Sequence, residues 1–128
     1  MTREELAEYI ENQYGVQAEH PWADAPGYAV FRHGGNRKWF AVIMNVPADR
    51  LGLKADGEID IVNLKCDPLL VDLLKRGDGF FAAYHMNKEH WISAALGGND
   101  GGEKIKPLLD ASFLLTAPKT KNKKSRLK

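Results

Sequence analysis

The feature that most restricts the fold is a pair of apolar runs, "GYAVFRH" (27–33) and "RKWFAVIMNV" (37–46), separated by "GGN". Both runs are rich in β-branched and aromatic residues, and the break between them is turn-forming, so the pair reads as a β-hairpin. In the second run Trp39, Ala41 and Ile43 alternate with Phe40, Val42 and Met44. A strand that is apolar on both sides needs cover on both sides, which predicts a central position in a sheet.

The flanking segments supply that cover. Thr2 and Glu5 stand at capping-box spacing. Leu6, Tyr9, Ile10 and Tyr14 then share one helical face, and Gly15 stops the helix. The loop "EHPWADAP" contains two prolines, and its Trp22 is expected to close the edge of a core. "EIDIVNLK" alternates as a third strand. Asp67 and Pro68 form a strong helix start, followed by Leu69, Leu70, Leu73 and Leu74 as the expected buried stripe, with Gly77 as the stop. "GFFAAYHM" and "WISAAL" read as two further strands. A last helix covers roughly 103–116, with Ile105, Leu108, Leu109 and Leu115 inward and Pro107 either at its start or in an irregular first turn. The predicted fold is α+β: an antiparallel sheet of about five strands with an N-terminal, a middle and a C-terminal helix.

A chain of 128 residues suggests one domain, here 1–117, with 118–128 as a basic, disordered tail. Six of the 18 Lys and Arg residues lie in the last ten positions, "KTKNKKSRLK", which leaves 12 against 17 acids in the rest. A mildly acidic body therefore carries a strongly basic end that can add affinity for phosphate polymers. One cysteine, Cys66, excludes an intramolecular disulfide. No apolar run is long enough to span a bilayer, and "MTREELAEYI" has no leader character, so the expectation is a cytoplasmic protein without a membrane partner.

Three motifs, "PWADAPGYAVFRHGGNRKWFAVIM", "DIVNLKCDP" and "YHMNKEHW", resemble in order and spacing the signatures of the MmcQ/YjbR family of small bacterial proteins. The resemblance covers about residues 1–116 and leaves out the basic end. It departs from the family at Ser112-Phe113, where Ser-Tyr is usual, and in the glycine-rich "GGNDGG" loop. The resemblance implies a frataxin-like α+β fold, a DNA-binding role with a double-wing arrangement, and neither a cofactor nor an enzymatic activity.

Two stretches carry the candidate functional residues. No acid lies between Asp24 and Asp49, whereas Arg32, His33, Arg37 and Lys38 flank the hairpin turn. With Lys65, Lys88 and His90 they form the expected nucleic-acid contacts, made to phosphate rather than to bases. A solvated hairpin tip fits the same residues equally well. The second stretch, "HMNKEHW" (85–91), reads mainly as a loop that ties down its own backbone. Asn87 serves the turn, His85 or His90 donates to a buried carbonyl, and Met86 and Trp91 pack beneath. A metal site from His85 and His90, with Cys66 or Asp67 as a third ligand, lacks ligand spacing, and no catalytic residue is assigned. The alternative is a small-molecule or protein-interaction module with a pocket beside this loop. Oligomeric state and DNA sequence preference are open.

Overall fold

The structure is a computed structural model that describes residues 1–98 and 102–119. Most of the basic end and the middle of "GGNDGG" lie outside the described residues. In chain order the elements are α1 (Arg3–Tyr14), β1 (Ala29–Arg32), β2 (Trp39–Pro47), a 3₁₀ turn (Ala48–Leu51), β3 (Glu58–Lys65), α2 (Pro68–Leu74), β4 (Phe80–Ala82), β5 (Trp91–Ala95) and α3 (Ile105–Thr116). The strands form one antiparallel sheet in the order β1-β2-β3-β5-β4, as the α+β reading expects.

Local chemistry starts and stops the helices. The Thr2 side chain accepts from the Glu5 amide while Glu5 reaches back to the Thr2 amide, and Gly15 adopts a left-handed conformation at the end of α1. Asp67 caps α2 through the Leu69 amide, with Pro68 in the first turn. Pro107 sits at the third position of α3, where an amide hydrogen would have no intrahelical partner, so it costs no helical bond.

β2 separates two cores. Ala41 and Ile43 face the helices and pack with Phe31, Val62, Leu64 and Ile92 against Leu6, Ile10, Ile105 and Leu109. Val42, Met44 and Val46 face the other way, with Val30 and Ile61, under a lid of loop aromatics that includes Trp22, Tyr28 and Tyr84. Full burial of side chains such as Leu6 and Ile10 contributes about 1.5–3 kcal/mol each. Register slips between Phe31 and Arg32, where the pairing jumps from Ala41 to Trp39. That bulge lets Phe40 join Ala41 on the helix side and turns Trp39 to the opposite face.

Two expected stripes are corrected. In α2 the fully buried residue is Val71, with Leu70 and Leu74 partly buried, whereas Leu69 is 78% and Leu73 58% exposed. The helix ends at Leu74, before Gly77. In α3 the buried line is Ile105, Leu109, Ser112 and Thr116, and Leu115 is exposed. Ser112 replaces an expected leucine because its hydroxyl donates to the Phe40 carbonyl at 2.6 Å and accepts from the Lys65 amide at 2.9 Å. Phe113, the departure from the family pattern, stacks on Tyr14 at 4.5 Å and meets Phe40 edge-on, so the last helix docks firmly. Among the described residues no helix is long and apolar enough to cross a membrane.

Candidate nucleic-acid interface

Antiparallel pairing brings several chain-distant segments to one end of the sheet. Leu64 pairs with Ala41 and Lys65 with Trp91, so the end of β3, the start of β2 and the start of β5 are neighbours. The β1–β2 turn and the 83–90 loop therefore project from the same end.

The turn is more tightly built than its glycines suggest. The His33 amide donates to the Lys38 carbonyl and the Arg37 amide to the His33 carbonyl, each at 3.0 Å. The left-handed residue is Arg37, with φ of 62°, rather than Gly34 or Gly35. Gly35 lies close to the end of α3: a Cβ there would stand 3.0 Å from Pro118 Cγ, tight enough that the proline would have to shift. Asn36 ties the turn together, accepting from the Lys38 amide at 3.0 Å and donating through Nδ2 to the Thr116 carbonyl at 2.9 Å. The end of α3 is thus fastened to the tip of the hairpin.

Two of the expected contacts are corrected by this geometry. His33 is buried, 5% exposed, with its ring against Phe113 and Phe40 and Nε2 2.9 Å from Thr116 Oγ1. The Thr116 hydroxyl already donates to the Ser112 carbonyl, so it accepts from His33. Burial pulls the His33 pKa below its ordinary value, and the Phe113 backbone opposes this in part. A neutral ring in the core cannot meet a phosphate. Arg32 is half-buried and paired with Glu19, whose carboxylate accepts from its Nε and terminal nitrogen. The pairing raises the Arg32 pKa and lowers that of Glu19, and it cancels the charge proposed for phosphate. Glu19 bridges to Val30 of β1, eleven residues later in the chain, a pairing that local patterning does not disclose.

Arg37 and Lys38 remain exposed at the turn. The Lys65 ammonium lies 5.8 Å over the Trp91 ring. Lys88 Nζ donates to the Ala83 carbonyl at 2.7 Å, which folds the side chain across its own loop while the residue stays exposed. His90 is exposed, and Cys66 donates its amide to the His90 carbonyl at 2.8 Å.

The 83–90 loop is held from below and from within. Asn87 Oδ1 accepts from the Glu89 and His90 amides at 2.9 and 3.1 Å. Ser93, fully buried, accepts from the Tyr84 amide at 2.9 Å and donates to Asn63 Oδ1. Asn63, also fully buried, donates to the Tyr84 carbonyl at 2.9 Å. Both backbone groups of Tyr84 are therefore fixed, and His85 follows in a left-handed conformation with φ of 61°. His85 is exposed rather than bonded to a buried carbonyl, with its ring 4.0 Å from that of Tyr84. Met86 is partly buried and Trp91 8% exposed. Burial and Asp67 push the Cys66 thiol up, away from the reactive thiolate. No group of three or more His, Cys, Asp or Glu gathers as metal ligands among the described residues.

The YjbR family model matches residues 11–115. The chain belongs to the YjbR family. It is 45% identical over 116 residues to "Uncharacterized protein YyaQ" of Bacillus subtilis, covering 91% of this chain and 98% of that protein. A crystal structure of a Pseudomonas syringae protein superposes with a TM-score of 0.87 at 43% identity, over 91% of this chain and 99% of the other. A Deinococcus radiodurans protein shares the fold, with a TM-score of 0.70 at 23% identity over 98% of this chain and 87% of its own. In this YjbR-family chain the hairpin, the "DIVNLKCDP" strand end and the "YHMNKEHW" loop, separated in sequence, meet at one end of the sheet.

Proposed function

We propose that this protein binds nucleic acid weakly and without base selectivity, through phosphate contacts from the β1–β2 wing and the basic run that begins at Lys119. The observation that carries the reading is the fastening of α3 to the wing. Asn36 and His33 hold Thr116, and Pro118 packs against Gly35, so the basic run starts beside Arg37 and Lys38. Lys65, Lys88 and His90 lie at the same end of the sheet and extend the candidate surface. Cations at one end of an otherwise acidic body are suited to counterion release from a polyanion. The resemblance to the double-wing DNA-binding family points the same way. The described helices offer no free, cation-bearing face for a groove, which favours backbone contacts over base readout.

Fluorescence-anisotropy titrations of two unrelated duplexes across a salt series test this. Both duplexes should bind with similar affinity, and log K should fall linearly with log salt. Arg37→Ala with Lys38→Ala should lower the slope by roughly two, at about 0.9 per phosphate contact. Truncation after Pro118 should lower it further. An absence of salt-dependent binding to either duplex at low salt would overturn the proposal.

A further inference from the structure

The sheet face opposite the helices carries a cleft that the nucleic-acid reading leaves unused. It has a volume of about 570 Å³, within the range of roughly 300–1,000 Å³ usual for small-molecule sites. Its walls are the 22–28 loop on one side and His85 with Met86 on the other, and Met44 lies among its lining residues. Three half-buried aromatic rings dominate it. Trp22 meets Trp39 edge-to-face at 5.7 Å and 81°, and meets Tyr28 at 5.7 Å and 79°. Rings set nearly perpendicular to a shared neighbour lie in different planes around one corner of the cleft. The carboxylate of Asp24 is the one formally charged side chain among the lining residues. Among the described residues no lysine or arginine lines the cleft.

The cleft is built rather than incidental. Tyr28 is anchored through its backbone, which accepts from the His20 ring at 2.9 Å, and the loop closes on itself through Ala25-to-Trp22 and Tyr28-to-Ala25 bonds. The opposite wall depends on His85 in a conformation that costs a non-glycine residue about 1–3 kcal/mol. Two fully buried polar side chains, Asn63 and Ser93, hold Tyr84 so that His85 and Met86 reach the cleft. Burial pushes the Tyr28 hydroxyl up, with smaller contributions from Tyr84, Glu58 and Asp24, so it stays a neutral phenol in the cleft wall.

We propose that this cleft binds a small ligand through a quaternary or methylated ammonium group, caged by Trp22, Tyr28 and Trp39 beside Asp24. Such a group has a diffuse positive charge on an apolar surface. It gains from aromatic faces and loses little hydration, which distinguishes it from a lysine ammonium or a neutral hydrocarbon. The inference does not depend on nucleic-acid binding.

Choline and its neutral isostere 3,3-dimethylbutan-1-ol make the test, with intrinsic tryptophan fluorescence and indole N–H chemical shifts as readouts. Two of the three tryptophans line the cleft. Choline should bind saturably, shift the Trp22 and Trp39 indole signals and leave Trp91 unmoved. The isostere should bind at least about tenfold more weakly, the margin set by cation–π attraction at a partly desolvated site. Asp24→Asn, at an exposed position, should weaken choline several-fold, and Trp22→Leu more so. Lys75→Ala, at an exposed position at the end of α2 and away from the cleft lining, should change nothing. Equal affinity for the two probes, or no saturable change with choline in the millimolar range, would overturn the proposal. If Trp22→Leu fails to fold, Asp24→Asn and the isostere comparison still decide it.

Discussion

Ser93→Ala removes one oxygen and should cost far more than a typical serine truncation. The Ser93 hydroxyl serves two groups: it accepts from the Tyr84 amide and donates to Asn63 Oδ1. Ser93 and Asn63 are both fully buried, so water does not reach the groups left behind without rearrangement. Each stranded donor or acceptor costs about 1–3 kcal/mol. Two of them amount to roughly 2–6 kcal/mol, against a usual total stability of about 5–15 kcal/mol. The loss should fall unevenly. Tyr84 is the residue that holds His85 left-handed, so the 83–90 loop should open before the sheet does. Urea denaturation measures the total, and amide exchange at Tyr84, Glu89 and His90 measures the local part. A change below about 0.5 kcal/mol, the level of an ordinary surface substitution, with unaltered Tyr84 exchange would refute this account of the network.

Thr116→Val keeps the shape of the side chain but removes the acceptor for His33, leaving a buried ring N–H; thermal melting should show about 1–3 kcal/mol of destabilisation. His33 also makes stability depend on pH. Its folded pKa lies below the ordinary 6.5, so the unfolded chain binds the proton more readily, and stability should be full above that value and decline as pH falls below it. Denaturation midpoints between pH 8 and 5 should show the decline, and His33→Gln should flatten it. Leu69→Lys, at a site 78% exposed, should move stability by less than about 0.5 kcal/mol despite removing a leucine from a helix.

Local signals were enough for the elements and not for their faces. The Thr2–Glu5 capping box, the Asp67-Pro68 start and the alternation of "EIDIVNLK" each involve neighbours in the chain, and each appears in the structure. The leucines of α2 cover too wide an arc for spacing to choose among them. Only contact with β5 and the sheet selects Leu70, Val71 and Leu74 over Leu69 and Leu73. In α3 a pattern that equates polarity with exposure passes over Ser112 and Thr116, which are buried because they satisfy Phe40, Lys65 and His33. Two of the candidate site residues were read without their partners in the same way. His33 and Arg32 look like hairpin cations, but Thr116 lies 83 residues from the first and Glu19 thirteen from the second. The aromatic cleft was visible only as separate tryptophans. Trp39 is turned onto Trp22 by a bulge that no residue type announces.

If the protein binds nucleic acid as proposed, the fastening of α3 to the hairpin gives a weakly charged wing a way to contribute. With His33 buried and Arg32 paired to Glu19, Arg37 and Lys38 alone supply few phosphate contacts, and most of the proposed charge comes from the basic run that begins at Lys119. Joined at Thr116, the two share an origin. An extended chain spans at most about 3.3–3.6 Å per residue, so every cation from Lys119 onward stays within a few nanometres of the wing. Phosphates engaged by one element then raise the effective concentration seen by the other. Asn36→Ala with Thr116→Val tests this without altering a single charge. The number of phosphates neutralised, and hence the salt slope, should persist, whereas the affinity should fall several-fold as the elements lose their common anchor. Unchanged affinity in a variant whose α3 end has come free, seen as faster amide exchange at Phe113 to Thr116, would mean that wing and basic run bind independently.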